Sequence, residues 1–129
     1  MVYKFSNRSK DRMSGVNPKL IDIAYRALEI SPIDFGIPEF GGLRTAEEQK
    51  KLFDNGKSQL DGYEKLSYHQ SGNALDFFAV VSGKASWGKH ELAVVAAAFL
   101  QAASEKGIRL EWGGLWKSFK DYPHVQIPE

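Results

Sequence analysis

Residues 67–76 read SYHQSGNALD and contain a histidine and an aspartate, His69 and Asp76, seven positions apart. That spacing would place both side chains on one face of a helix, but Gly72 and its polar neighbours disfavour a continuous helix here. The stretch instead predicts a turn that leads into a strand at 74–80. Asp76 would then project from an otherwise apolar strand. A carboxylate in such a position is rarely left without a partner.

The C-terminal segment supplies a second histidine and a second carboxylate, His124 and Asp121. Two imidazoles and one carboxylate are a typical ligand set for a catalytic zinc ion, which keeps a fourth position open for water. Zn²⁺ bound by His69, Asp76 and His124 would lower the pKa of that water to about 7. Asp121 could carry a proton from the water to the leaving nitrogen of an amide. Arg44, just before a predicted helix, could stabilise the developing oxyanion or bind a substrate carboxylate.

Each of these residues also has an ordinary structural explanation. A single histidine is more often a hydrogen-bonded structural residue than a metal ligand, and Asp76 could cap or pair with a lysine. Asp121 could begin a turn, and Arg44 could be a surface charge. The metal-site hypothesis therefore depends on the joint pattern. His90 stands among charged residues at the start of a helix, and we expect it to be exposed and without function.

The composition is that of an ordinary globular protein. The 129 residues are 43% hydrophobic and 26% charged, with a net charge of +1, which predicts one domain over 1–129 and gives no reason to expect nucleic-acid or membrane binding. No cysteine is present, so a metal would be held by His, Asp or Glu. No apolar segment typical of a signal peptide stands at the N-terminus. We interpret residues 1–14 as a loosely ordered, solvated terminus rather than a basic arm.

Capping signals and apolar periodicity predict the helices. Asn17 and Pro18 are suited to begin one, Thr45 and Glu48 form a capping box for the next, and Gly107 suits the end of the longest. The order of elements predicts an α+β fold with a small antiparallel sheet and helices packed on one side. The predicted helices are about 18–30, 46–54 and 88–106, the strands 74–80, 108–112 and 122–127, with 35–40 extended and 82–86 a turn.

Three aromatic residues near the C-terminus fall into two groups. Trp112 lies in a predicted strand, and we expect it to pack in the core. Trp116 and Tyr122 lie in or next to a loop bounded by glycines. Core packing and lining of a binding cleft are equally consistent with their positions.

Four motifs together carry a resemblance to a known family. They are Ser-x-His-x-x-Gly-x-Ala-x-Asp at 67–76, Asp-x-x-His-Val at 121–125, Gly-Leu-Arg-Thr at 42–45 and Ser-Pro-Ile-Asp-Phe at 31–35. In these motifs the chain resembles the zinc D-Ala-D-Ala and L-alanyl-D-glutamate peptidases, which are related in fold to the Hedgehog signalling domain. The resemblance covers about residues 3–127 and is strongest to the short phage endolysins.

The resemblance implies a fold, a substrate and a set of roles. The zinc would lie on the concave side of a small antiparallel sheet, and the substrate would be the stem peptide of bacterial peptidoglycan, cut at the L-Ala–D-Glu bond. We expect a monomer without stable membrane association that accumulates in a host cytoplasm and reaches the wall through a membrane lesion made by a partner. The implied roles are zinc ligand for His69, Asp76 and His124, acid/base for Asp121, substrate or transition-state stabilisation for Arg44, and substrate or ligand support for Ser67.

Two alternative functions remain open on the sequence. In a D-Ala-D-Ala carboxypeptidase or dipeptidase, Arg44 would bind the free C-terminal carboxylate of the substrate. In a non-catalytic zinc-bearing binding module, the metal would be structural only. Asp121 argues against the second alternative, because a structural zinc has no use for a proton shuttle.

Overall fold

The computed structural model describes residues 3–128, and the α+β prediction is confirmed. Two 3₁₀ turns, Tyr68–Ser71 and Gly113–Leu115, lie in the connections between the main elements. The helices and strands are, in chain order, α1 (Asn7–Arg12), α2 (Pro18–Ile30), β1 (Asp34–Gly36), α3 (Ala46–Asp54), β2 (Ala74–Asp76), β3 (Phe78–Val81), β4 (Lys84–Ser86), α4 (Lys89–Glu105), β5 (Glu111–Trp112) and β6 (His124–Gln126).

The strands form two three-stranded antiparallel sheets, ordered β1–β3–β4 and β2–β6–β5, where the sequence suggested one. The predicted strand at 74–80 is divided at Phe77, and its two halves pair in different sheets. The backbone N–H of Phe77 donates to the Pro123 carbonyl at 2.8 Å. Its ring is fully buried and stacks on Phe99, with centroids 5.0 Å apart. This buried ring anchors the point where the chain passes from one sheet to the other.

The turn predicted at 82–86 is limited to Ser82 and Gly83, and the rest of this range forms strand β4. Ser82 and Gly83 both have positive φ, 53° and 77°, which suits a two-residue hairpin turn. The following residues therefore pair back on β3 as β4, with Val81 opposite Lys84. The β4 residues are mostly exposed, so they carry little of the hydrophobic alternation by which a strand is recognised.

The helix-capping predictions are confirmed. The Asn17 side chain accepts a hydrogen bond from the Lys19 N–H at the start of α2. The Thr45 hydroxyl accepts from the Glu48 N–H, and the Glu48 carboxylate accepts from the Thr45 N–H, at the start of α3. Gly107 follows α4 with φ of 67°. None of the helices within residues 3–128 is long and apolar enough to cross a bilayer.

The core lies where α2 and α4 pack on each other and α4 contacts both sheets through β3 and β5. Phe5 belongs to this core: it is buried and packs edge-on against Phe35 at 5.5 Å. Met13 is buried as well, and α1 lies between these two residues. The expectation of a loosely ordered terminus is therefore wrong for residues 3–14, because two apolar side chains anchor the segment at both ends of its short helix.

Candidate active site and metal centre

Strand register places two of the predicted ligands directly opposite each other. β2 and β6 are antiparallel, and Asp76 is paired with His124. Residues facing each other in such a ladder have Cβ atoms about 5 Å apart. Both side chains therefore reach the same point at the end of the sheet.

His69 reaches the same point from the 3₁₀ turn that precedes β2. The Ser67 hydroxyl caps this turn by accepting from the His69 N–H at 3.1 Å. Gly72 ends it with φ of 77°, and a Cβ at that position would lie 2.8 Å from the Gly15 carbonyl oxygen. Gly72 is thus needed both for its backbone conformation and for lack of space. This tight reversal is how residues seven positions apart face each other.

The three ligand atoms form a nearly equilateral triangle. His69 Nε2 lies 3.2 Å from Asp76 Oδ1 and 3.3 Å from His124 Nδ1, and the remaining side is 3.1 Å. Zinc–nitrogen and zinc–oxygen bonds of about 2.0–2.1 Å in a tetrahedron separate neighbouring ligand atoms by roughly 3.3–3.4 Å. The triangle therefore has nearly the size of one face of a tetrahedral site. Both imidazoles are buried, and the aspartate is partly buried.

Hydrogen bonds on the far side of each ring leave the inward nitrogen free to bind a metal. His69 Nδ1 donates to the Gly42 carbonyl at 2.9 Å, so Nε2 carries the lone pair that faces the triangle. His124 Nε2 donates to Gln126 Oε1 at 2.7 Å, so Nδ1 faces it. The Gln126 amide is oriented in turn because its nitrogen donates to the Glu111 carboxylate at 3.1 Å. Such partners fix the tautomer and orientation of metal-binding histidines.

Arg44 holds the third ligand. Its Nη2 donates to Asp76 Oδ2 at 3.0 Å, which leaves Oδ1 turned toward the histidines. Its Nε donates to the Phe40 carbonyl, and its Nη1 donates to the fully buried Gln49. These contacts use three of the five guanidinium N–H donors. The side chain is only 11% exposed, yet it lines the cleft beside the ligands.

A cleft of about 1200 Å³ opens over the triangle. Of the predicted substrate contacts, Ser67 and Trp116 lie in its wall, and the Trp116 ring centroid is 5.3 Å from that of His124. Tyr122 lies outside the wall. Its ring packs edge-on against Trp112 at 5.9 Å, with the Lys89 ammonium 5.3 Å from its face.

Comparisons with known proteins place the chain in a family. A sequence model of the family described as "Phage L-alanyl-D-glutamate peptidase" matches residues 1–127. The chain belongs to this family.

Two relatives and one solved structure cover most of the chain. The L-alanyl-D-glutamate peptidase of Escherichia phage T5 is 39% identical over 98% of this chain and 90% of its own. The peptidoglycan L-alanyl-D-glutamate endopeptidase CwlK of Bacillus subtilis is 32% identical over 74% of this chain and 61% of its own. The crystal structure of the Serratia marcescens L-Ala D-Glu endopeptidase ChiX aligns with a TM-score of 0.86 at 37% identity, over 98% of this chain and 91% of that one.

In this member of the phage L-alanyl-D-glutamate peptidase family, Asp121 stands beside the triangle without completing it. Its Oδ2 is 3.8 Å from His124 Nδ1, and its side chain is 46% exposed. The residue begins a turn, with its carbonyl accepting from the His124 N–H at 3.3 Å, so the structural interpretation applies to it. A Cβ at Gly113 would overlap with the Asp121 carbonyl, so the glycine lets the two segments approach.

Charges in the site shift its pKa values in opposite directions. Burial disfavours the ionised form of Asp76, but His69 and His124, which are positively charged and donate hydrogen bonds to it when protonated, outweigh this effect and hold the pKa of Asp76 well below its usual range. Burial also disfavours protonation of His124, but Asp76, Gln126 and Asp121 outweigh it and raise the pKa of His124. The pKa of Asp121 is raised, first by partial burial and then by the negative charge of Asp76.

Three supporting residues escape sequence reasoning. Gln126 and Glu111 orient His124, while Gln49 orients Arg44 and is itself held by the Ser58 hydroxyl and the Leu60 carbonyl. One signal was available for Gln126, which lies two residues after a histidine on a strand and therefore on the same face. Gln49 gives no such signal, because a glutamine in an amphipathic helix usually faces solvent.

Proposed function

We propose that this protein is a zinc-dependent peptidase that cuts the L-Ala–D-Glu bond in the stem peptide of bacterial peptidoglycan. The observation that carries the proposal is the triangle of ligand atoms from His69, Asp76 and His124, at separations of 3.1–3.3 Å, in a member of this family. The relatives named for this activity support the choice of substrate and bond.

The donor set fits zinc in number, chemistry and spacing. Two neutral imidazole nitrogens and one carboxylate oxygen are a known ligand set of catalytic zinc, and no thiolate is present to favour other metals. When bound, zinc supplies Lewis acidity and makes a water molecule nucleophilic near neutral pH. Asp76 Oδ1 faces the histidines while Arg44 holds Oδ2, so we infer that this carboxylate binds through one oxygen.

We assign the proton-transfer role to Asp121. Its carboxylate lies within 4 Å of a ligand atom, points into the cleft and stays half exposed, so it can reach a water or a leaving nitrogen there. Its raised pKa brings it closer to the pH at which it must both accept and release a proton. Its spacing from the triangle suits a carboxylate that acts on the reacting groups without occupying a ligand position.

The remaining cleft residues bind and orient the substrate. Arg44 positions Asp76 and retains two guanidinium N–H groups that can donate to a substrate oxygen or to the developing oxyanion. Ser67 accepts from the His69 N–H, and its own hydroxyl hydrogen can donate toward the cleft. Trp116 offers its ring beside His124 as a wall for the peptide. Tyr122 has no part in this proposal, because its ring packs outside the cleft.

The phage origin of the T5 relative supports a role in lysis of a bacterial host. In that role the enzyme is made in the host cytoplasm, acts as a monomer without binding the membrane stably, and reaches the wall after the membrane is breached. Expression in Escherichia coli with and without a membrane-permeabilising agent tests this route. Lysis that needs no permeabilisation would contradict it.

Digestion of purified peptidoglycan by the zinc-loaded protein, with mass spectrometry of the products, tests the reaction. We expect new peptides with N-terminal D-Glu. Released D-Ala without such peptides would refute the endopeptidase assignment in favour of the carboxypeptidase alternative. If fully metal-loaded protein binds peptidoglycan but does not cut it, the non-catalytic binding module would be favoured.

The Asp121→Asn variant tests the proton-transfer role. We expect it to keep one zinc per chain and to lose about 10²–10⁴-fold in kcat/KM. Asp22→Asn is the matched control, since Asp22 is exposed on α2 and far from the ligands in sequence. Hydrolysis by metal-loaded Asp121→Asn at the rate of the control would rule out this role.

A further inference from the structure

Two phenylalanines have an unusual backbone conformation. Within residues 3–128, the non-glycine residues with positive φ are Phe40 (61°), Ser82 (53°) and Phe119 (51°). The β3–β4 hairpin turn accounts for Ser82, since such turns favour positive φ. For a bulky aromatic residue this conformation is a genuine outlier, and strain of this kind is concentrated at functional sites.

Both strained phenylalanines line the cleft that contains the ligand triangle. Phe119 is 74% exposed and Phe40 is 40% exposed. Trp87 lines the same cleft, is 53% exposed and packs against Phe78 at 5.8 Å. The cleft thus presents large flat apolar faces to water within reach of one bound molecule.

The local fold does not account for either phenylalanine side chain. Phe40 is the third residue of a turn closed by the Gly41 N–H donating to the Pro38 carbonyl at 2.9 Å, a position that favours glycine. The hydrogen bond from Arg44 goes to the Phe40 carbonyl, which glycine would also provide.

Phe119 lies in a segment held by its backbone. The N–H groups of Trp116 and Asp121 both donate to the Gly113 carbonyl, at 3.3 and 3.0 Å. The exposed Phe119 ring takes no part in these contacts. A phenylalanine that is strained, exposed and unnecessary for the turn therefore calls for a role outside folding.

We propose that Phe40 and Phe119 form a subsite for the N-acetylhexosamine rings of the glycan strand. The inference rests on the proposed function, because L-Ala is the stem-peptide residue attached to the glycan. The sugar must therefore lie about one residue plus a short linker, on the order of 10 Å, from the bond that is cut. A cleft of about 1200 Å³ is larger than the roughly 300–1,000 Å³ typical of small-ligand pockets.

The chemistry of the cleft wall suits a neutral sugar ring. An aromatic face is electron-rich and attracts the C–H groups on the apolar face of a pyranose. Asn55 and Gln59 lie in the same wall and offer amide groups to hydroxyl and acetamido groups. Exposed aromatic faces and neutral amide groups in one cleft wall, which also carries charged side chains such as Glu48 and Lys51, match a sugar better than they match a purely apolar partner.

The test compares two substrates that differ only in the sugar: a disaccharide-linked stem peptide and the same peptide without it. We expect the wild type to prefer the sugar-linked substrate by about tenfold in kcat/KM, as two aromatic contacts would give. Phe119→Leu and Phe40→Leu should each bring this ratio closer to one, while Phe119→Tyr, which keeps the aromatic face, should retain it. Tyr63→Leu is the control, because Tyr63 is 59% exposed and not part of the cleft wall. An unchanged ratio in both leucine variants would overturn the proposal.

Titration of the wild type with an N-acetylglucosamine tetramer, followed by NMR, separates this inference from the proposed function. Saturable binding that Phe119→Leu weakens supports the subsite even if neither peptide is cut. Cleavage of both peptides at equal rates without tetramer binding would refute the subsite and leave the peptidase assignment intact.

The melting temperature of Phe119→Gly should stay unchanged or rise by about 3 °C, since glycine relieves the strain. A fall of more than about 5 °C would mean that the side chain serves the fold, and would overturn the proposal.

Discussion

Gln126 offers the sharpest test of how the metal centre is held together. Its Oε1 accepts from His124 Nε2 at 2.7 Å, and the residue is buried. Gln126→Met keeps the length of the side chain and removes this acceptor. The buried imidazole N–H then loses its partner, which costs about 1–3 kcal/mol. Without this partner the His124 ring is no longer held in the orientation that binds zinc. We therefore expect zinc affinity to fall by about 10–100-fold.

Competition with a fluorescent zinc chelator measures this affinity directly, without reference to activity. Gln101→Met is the matched control, because Gln101 is exposed on α4 and bonds only to Glu105 among the described residues. Far-UV circular dichroism of both variants establishes that the fold is retained. A zinc affinity of folded Gln126→Met within twofold of the control would show that the hydrogen bond does not orient His124.

Three further predictions address the surroundings of the site. Arg44→Lys should lower zinc affinity, measured by chelator competition, and should lower the free energy of unfolding in urea by about 1–3 kcal/mol. The reason is that one ammonium cannot hold Asp76 and Gln49 in the geometry of the planar guanidinium. Wild-type values in both assays would refute this prediction. Thr45→Ala should cost about 1 kcal/mol in the same unfolding assay through loss of the capping box and leave zinc affinity unchanged. The melting-temperature rise caused by zinc should grow between pH 6 and 8.5. The pKa of His124 is raised in the folded protein, so protonated His124 stabilises the fold without zinc below its ordinary pKa of 6.5. This stabilisation is lost as pH rises through the folded-state pKa of His124, and zinc then contributes more. A zinc-induced rise that is independent of pH would show that His124 does not exchange a proton for the metal.

Local chemistry explains which parts of the fold could be predicted. The starts of α2 and α3 follow from residues that are close together in the chain: Asn17 directly before a proline, and Thr45 three residues before Glu48. The division of the strand at Phe77 depends instead on contacts with Pro123 and Phe99, which are distant in sequence. The N-terminal segment shows the same limit. Its charge suggests a loosely ordered, solvated terminus, and only its packing reveals that Phe5 belongs to the core.

The candidate site also has a part that could be predicted from the sequence and a part that could not. The ligand residues could be proposed because few side chains can bind zinc and the cysteine-free chain has only three histidines. Most of the supporting groups could not, since backbone carbonyls and glutamines have no distinctive chemistry in a sequence, and only the position of Gln126 two residues after His124 gave a signal. Arg44 shows the consequence. Its charge suggested a substrate contact, whereas most of its hydrogen bonds are made to the protein, and its commitment to Asp76 is visible only in the fold.

The supporting contacts have a further consequence for how the proposed site would bind a metal. Each predicted ligand is held from its far side, His69 by Gly42, His124 by Gln126 and Asp76 by Arg44, and the three ligand atoms lie 3.1–3.3 Å apart. Lone pairs at that separation repel unless protons or a cation intervene. Zinc would relieve this repulsion, and a proton taking its place would reside on His124, because the pKa of His124 is raised while that of Asp76 is lowered. We therefore expect zinc to compete with a proton for this position, so that zinc binding weakens as pH falls through the pKa of His124.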